Sequence, residues 1–288
     1  MPLNSIKQLV DAEKEGRTRS YSFRHTTAGY GPTAGTWWDM SFGAGQPSPK
    51  YWFDSPPLVS KAAAQSTDGG FYHGENVAPY TKYLRELMVM EPVSTVVMPW
   101  HMMLCDYLLY YPSIDETVLG TQALTNSVTL PRYTDGEGVY PMAINVAPSG
   151  AALRFYITYT NSDGVAGRVS QTMAGTSTVT LGNVKTSATA NALTTGPFIS
   201  LQEGDKGVRS IESVTITTDD VGLFSLVLVK PLASLTITEN AAVVERDFYL
   251  DGKQLPVIQD DAYLNFLMYG QGSFSTANFT CYLKTVFN

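Results

Sequence analysis

From about residue 120 onward, apolar and polar positions mostly alternate along the chain. Leu153-Arg154-Phe155-Tyr156-Ile157-Thr158-Tyr159-Thr160 places Leu153, Phe155, Ile157 and Tyr159 on one face, the period-2 pattern of a half-buried strand. Asn161-Ser162-Asp163-Gly164 then supplies turn residues, and Gly167–Thr172 leads back, which predicts a hairpin. Pro141–Ala147 alternates through Met142, Ile144 and Val146, and Ser210–Thr218 alternates with one change of phase that predicts a bulge. Gly222–Val229 is continuously apolar, the mark of a strand buried on both faces. Further strands are expected at Leu124–Leu130, Thr178–Leu181, Phe198–Leu201, Leu232–Thr238, Asp247–Leu250, Leu264–Tyr269 and Phe279–Phe287. Short strands separated by Gly, Pro and Asp turns predict a mainly β fold, a β-sandwich or a jelly-roll-like body from about residue 120.

The first half reads differently. Ser5–Glu15 predicts a short helix, with Ser5 and Gln8 in capping-box spacing, an apolar face of Ile6, Leu9 and Val10 beside Glu13, and Gly16 as the stop. Residues 77–90 predict a second short helix, with Asn76 as cap, Pro79 in its first turn and Tyr80, Leu84, Leu87 and Met88 along one face. The apolar block Thr95–Tyr111 fits two short strands or a buried helix. Pro99, His101 and Asp106 inside it argue against a membrane span. Residues 17–75 show neither period and are rich in Gly, Pro and aromatics, including three of the four tryptophans. So much aromatic surface is costly to leave in water. An irregular N-terminal arm laid across another subunit fits this composition, and so does a segment wrapped on its own core. The division expected is thus 1–75, helix and arm, and 76–288, β-rich body.

Only 16% of residues are charged, against roughly 25% in ordinary soluble domains. A surface covered by neighbouring subunits explains that deficit. The formal net charge is −7, and the 19 basic residues are scattered, so phosphate neutralisation, and with it direct nucleic-acid binding, is not expected. The start of the chain lacks the basic and apolar regions of a signal peptide. Cys105 and Cys281 sit in apolar contexts and are expected as buried free thiols.

The residues that could carry chemistry do not form a recognisable constellation. His25, His73 and His101 lack partners at metal-ligand spacing. His101 is expected as a hydrogen-bonded core histidine. His73, in Gly69-Gly70-Phe71-Tyr72-His73-Gly74, has a setting that would suit a base, but no nucleophile motif accompanies it. Asp219-Asp220 and Asp260-Asp261 would serve a polysaccharide hydrolase, yet their places between apolar segments suit turns. No catalytic residue, metal site or cofactor is assigned. The residues chosen as interface anchors are Trp37, Trp38, Tyr51, Trp52 and Phe53.

Leu108-Leu109-Tyr110-Tyr111-Pro112-Ser113-Ile114-Asp115, Ser127–Val139 (SVTLPRYTDGEGV), Ile157–Arg168 (ITYTNSDGVAGR) and Gly207–Val214 (GVRSIESV) resemble stretches of virion structural proteins of tailed bacteriophages. The resemblance covers roughly residues 80–235. It implies a non-enzymatic minor capsid protein, foremost a capsid decoration or cement protein on the virion surface, assembled in the host cytoplasm. Its implied partners are the major capsid protein and copies of itself, often as a homo-oligomer such as a trimer, with no membrane and no nucleic acid. A tail- or neck-associated module that recognises a glycan is the alternative.

Overall fold

The computed structural model describes residues 3, 5–27, 30, 34–92, 97–150, 152–175, 180–185, 196–252, 254–270, 272 and 277–288. They form antiparallel sheets joined by long loops, with two short helices. The first helix, α1 (Ile6–Lys14), follows from its local chemistry: the Ser5 hydroxyl accepts from the Gln8 N–H, and the Gln8 side chain accepts from the Ser5 N–H. Gly16, at φ +67°, ends it. The buried stripe is Leu9 and Ala12, while Ile6 and Val10, expected inside, are exposed. Glu13 pairs with Lys284 of β17 at 2.8 Å at the edge of that stripe. The second helix, α2, is Gln65–Asp68.

Three sheets follow. The first runs β14 (Val243–Asp247), β5 (Lys82–Met90), β17 (Asn278–Phe287), β1 (Thr18–Thr26) and β3 (Ala44–Gln46), with β15 (Val257–Ile258) also on β5. The second runs β2 (Trp37–Asp39), β16 (Tyr263–Gly270), β6 (Trp100–Asp115), β13 (Leu223–Ile237) and β8 (Tyr140–Asn145), with β4 (Lys61–Ala62) on β6. The third runs β10 (Arg168–Val169), β9 (Arg154–Asn161), β12 (Val208–Thr218) and β7 (Gly120–Ala123), with β11 (Met173–Ala174) on β9.

The second sheet is the middle layer of the sandwich. Its Tyr107, Tyr110, Met142, Ile144, Val227 and Val229 belong to one core with Phe23, Leu84, Leu87, Val89, Phe279 and Leu283 of the first sheet. Its Leu108, Tyr111, Ala143, Phe224, Leu226 and Leu228 belong to another core with Phe155, Ile157, Tyr159, Ile211, Val214 and Ile216 of the third. Successive residues of β13 therefore enter opposite cores, and Phe224 through Val229 are all fully buried. This is the physical origin of the uninterrupted apolar run at Gly222–Val229.

The expected hairpin is present: β9 and β10 pair across a turn in which Asn161 Oδ1 accepts from the N–H groups of Asp163 and Val165. β12 carries register shifts, as its change of phase implied. From Trp100 onward the apolar block is one long strand, β6. Leu232–Thr238 is the continuation of β13 through Pro231, which is tolerated because β8 ends opposite Val229 and leaves that edge of Pro231 without a strand neighbour.

Several expectations are corrected. The helix expected at 77–90 is replaced by strand β5, between β17 and β14 in the first sheet. Lys284 pairs with Glu86 and Thr285 with Leu84, so Arg85 is an extra, bulged residue. That bulge puts Leu84 and Leu87, three apart, on one buried face, which imitates helical spacing. Leu124–Leu130 is a loop, because Asn126 and Ser127 bond Ile211 O and Ser60 O with their side chains instead of extending β7. Asp247–Leu250 is a turn, with Asp247 Oδ1 accepting from the N–H groups of Tyr249 and Leu250. Phe198–Leu201 lies beside β8 through the Ile199 N–H to Pro141 O bond without forming a ladder. Thr178–Leu181 falls largely outside the described residues.

All four tryptophans lie in or against the first core, whereas Leu228 faces the second. We expect Leu228→Ala to cost about 2–5 kcal/mol and to lower the urea midpoint seen by tryptophan fluorescence and by circular dichroism equally. Two separated transitions would mean that the cores fold independently.

Candidate interaction surfaces

The aromatic segment is pinned by one carboxylate. Asp39, at the end of β2, is fully buried and accepts from Trp52 Nε1 at 2.6 Å, Tyr107 Oη at 2.7 Å and the Ser41 N–H at 2.9 Å. Burial pushes its carboxyl above the usual range, against the pull of those donors. Trp52 stacks on Tyr107 with centroids 5.2 Å apart and meets Tyr110 and Tyr263 edge-on. Trp38 is also fully buried, with Nε1 donating to Leu181 O at 2.8 Å. Both side chains, expected as anchors for another subunit, therefore belong to this chain's own core. Trp37 is half-buried against Tyr269. Tyr51 is half-buried, shares a hydroxyl contact with Tyr30 and stacks on Phe53. Of the five anchors, Phe53 alone is exposed. The described residues of 17–75 thus wrap on the β body: β1 is a full strand of the first sheet, and β2 and β4 join the second.

One carboxylate of each candidate pair holds backbone N–H groups in place. Asp261 caps α2 by accepting from the Ser66 N–H and hydroxyl. Asp220 accepts from the N–H groups of Ala152, Leu153 and Val221, and these bonds hold its carboxyl below the usual range. Cys105 and Cys281 are buried free thiols, and burial pushes both upward. Among the described residues, no three His, Cys, Asp or Glu side chains converge as a metal cluster would require. No helix among them is long and apolar enough to cross a membrane.

The histidines divide. His101 is exposed and bonds Thr236 Oγ1 at 2.9 Å, because its strand position faces outward rather than into the core as expected. His25 is buried on β1 against the Phe71 ring, and neither ring nitrogen has a hydrogen-bond partner among the described residues. His73 is fully buried, with Nε2 2.9 Å from Ala262 O and Nδ1 3.2 Å from Lys82 Nζ. Desolvation pulls both His25 and His73 down to about 4.

A minority of the charged side chains lies inside. Among the described residues, eight are buried: Asp39, Lys50, Lys82, Glu91, Asp106, Glu116, Arg132 and Lys185. Arg132 forks onto both oxygens of Asp106, at 2.9 and 2.7 Å. Burial pushes the Asp106 carboxyl up to about 6, and the guanidinium opposes that rise. Lys185 meets Glu116 at 2.8 Å with both fully buried.

Two surface features stand out. Loops 116–119 and 219–222 are tied by Glu116 N–H to Gly222 O and Asp220 N–H to Glu116 O. They present Val118, Leu119 and Val221 to solvent, the last two 63% exposed. On the first sheet, a cavity of about 440 Å³ is lined by Arg19, Tyr21, Tyr72, His73, Glu75, Asn76, Tyr80, Lys82 and Phe287, among others. Of these, sequence reasoning singled out only His73 as a possible site residue. The others come from three strands and a loop, and nothing in their spacing announces that they converge.

No family model matches the chain, and no curated protein matches it. Among solved structures, the infectious bursal disease virus VP2 subviral particle aligns at 10% identity over 94% of this chain and 81% of that one, with a TM-score of 0.16. The Gx strain of the same virus aligns at 10% identity over 94% and 81%, with a TM-score of 0.14.

For His25 the linkage has one sign. An imidazole held near 4 when folded and near 6.5 when unfolded favours the native state fully above about pH 6.5. That contribution is lost as the pH falls toward 4. We expect the wild type to lose about 2–3 kcal/mol more than His25→Leu between pH 7 and pH 4, measured by urea unfolding at each pH. Parallel pH profiles would show that His25 is solvated or paired.

Proposed function

We propose that this chain is a non-enzymatic structural subunit of a phage particle, a capsid decoration or cement protein that stabilises the head by contacts with the major capsid protein and with copies of itself. The observation that carries this reading is the scarcity of surface charge. A chain with 19 basic and 26 acidic residues buries eight of them in its cores, while Ile6, Phe53, Leu119, Val221 and Leu250 remain exposed. Depletion of charge with retention of apolar and aromatic side chains is the compositional signature of contact surface.

The loop pair around Leu119 and Val221 is the foremost contact candidate. It is apolar, and its position is fixed by backbone hydrogen bonds. One member of each carboxylate pair, Asp261 and Asp220, is engaged in capping or backbone hydrogen bonds, which supports the non-enzymatic reading. The reading also rests on the resemblance of residues 80–235 to virion structural proteins.

The test is cosedimentation of the purified chain with phage heads that lack it. We expect saturable binding at a fixed ratio to the major capsid subunit. The double substitution Leu119→Ser and Val221→Ser should weaken it about tenfold or more, since about 25 cal/mol is lost per Å² of apolar contact. Absence of binding to heads would move the chain to the neck or tail, or out of the particle.

A further inference from the structure

We propose that the cavity between Tyr21, Tyr72 and Tyr80 is a carbohydrate-binding site for a neutral sugar. This goes beyond the assembly reading, because the cavity is built on the first sheet and needs no partner subunit to be complete.

The site starts from Lys82, the first residue of β5. Its ammonium sits 3.2 Å from His73 Nδ1, 3.0 Å from Gly74 O and 2.9 Å from Glu75 O. Three donors meet three acceptors, so the buried charge is fully satisfied. His73 is locked in turn on Ala262 O. Residues 73–75 are therefore clamped, and the clamp sets where Glu75 and Asn76 stand. Lys82 and His73 are positioning residues here.

What these two hold in place is a set of unused polar groups beside exposed rings. Tyr72 Oη donates to Glu75 Oε1 at 2.8 Å, which leaves Glu75 Oε2 free to accept. Asn76 Oδ1 accepts from the Ala78 N–H, which leaves its amide N–H groups free to donate. Arg19 uses Nη1 on Gly16 O and Thr18 O, which leaves Nε and Nη2 free. The Tyr21 hydroxyl lies over Gly74, where an added Cβ would come within 2.4 Å of it, and it bonds no described residue. Tyr72 is 43% and Tyr80 50% exposed.

This inventory selects the ligand. A sugar hydroxyl both donates and accepts, and vicinal hydroxyls match a carboxylate oxygen beside amide and guanidinium donors. The C–H face of a pyranose packs on the negative face of an aromatic ring. A phosphate would need donors alone and would meet the Glu75 carboxylate. A metal cation would meet Arg19. A planar heterocycle sandwiched between two rings would need them parallel, but Tyr21 and Tyr72 meet edge-to-face at 86°. The volume of about 440 Å³ lies in the range of about 300–1,000 Å³ for small-ligand pockets, which suits one or two sugar rings.

The experiment is a titration of the full chain, labelled with carbon-13 in its tyrosine rings, with galactose, glucose, mannose, N-acetylglucosamine and lactose, and with glucose 1-phosphate and galacturonate as charged comparators. We expect at least one neutral sugar to shift a small subset of tyrosine signals saturably. Single substitutions should assign those signals to Tyr21, Tyr72 and Tyr80. Tyr72→Ala and, separately, Glu75→Gln should each weaken that binding about tenfold while leaving the melting temperature unchanged, since both side chains are on the cavity's rim. The proposal is overturned if no neutral sugar shifts these signals, if only the charged comparators do, or if neither substitution weakens binding.

Discussion

The pairing of β6 with β13 is the constraint on which the rest of this structure depends. Both strands run through the middle layer of the sandwich, so their side chains have no solvent face along most of their length. Val227 and Val229 enter one core and Leu226 and Leu228 the other. A one-residue slip in register would exchange the two sets and mismatch both cores at once. The register shifts along the pair, at Leu226, Val229 and Ala233, are therefore fixed features of the packing rather than slack.

The middle layer also explains two of the buried charges, Asp39 and Asp106. A sheet covered on both faces leaves its polar residues no route to water, so each must be matched where it stands. Asp106 on β6 is met by the Arg132 fork, which reaches in from the loop between the second and third sheets and also bonds Ala63 O and Tyr107 O. Asp39 on β2 is met by two aromatic donors and one amide. Such groups add little net stability relative to apolar packing, but they penalise any arrangement that leaves one of them unpaired. They also hold the wrapping segment 37–68 together and to the β body. Asp39 joins Trp52 to Tyr107 of β6, and within the segment Lys50 bridges Asp54 at 2.5 Å and Asp68 at 2.6 Å.

The sequence is most legible where one physical demand acts alone. The alternation of β9 and the continuous apolar run of β13 each reflect a single burial pattern, one face or two, and both were readable. β5 was misread because a bulge at Arg85 overlays a three-residue spacing on a two-residue one, and periodicity has no means of telling that from a helix. The aromatic segment was open to two readings because its partners, Tyr107, Tyr110, Tyr263 and Leu181, are remote in sequence. The composition showed that Trp38 and Trp52 needed cover, and only the fold shows that this chain supplies it. The cavity was illegible for the same reason. His73 stood out as a histidine, yet its lysine partner comes from another strand, and the tyrosines beside it look like ordinary β-sheet residues.

The layer arrangement also bears on how the two outward-facing features relate. The exposed loop pair of Val118, Leu119 and Val221 joins the second sheet to the third, whereas the cavity is framed by β1, β5 and β17 of the first. The middle sheet separates them and is rigid because it is packed on both sides. A surface used for attachment on the third-sheet side would therefore neither occlude nor deform a pocket on the first. That separation allows one layer to be covered by neighbouring protein while the opposite layer still presents tyrosines and unpaired polar groups to solvent.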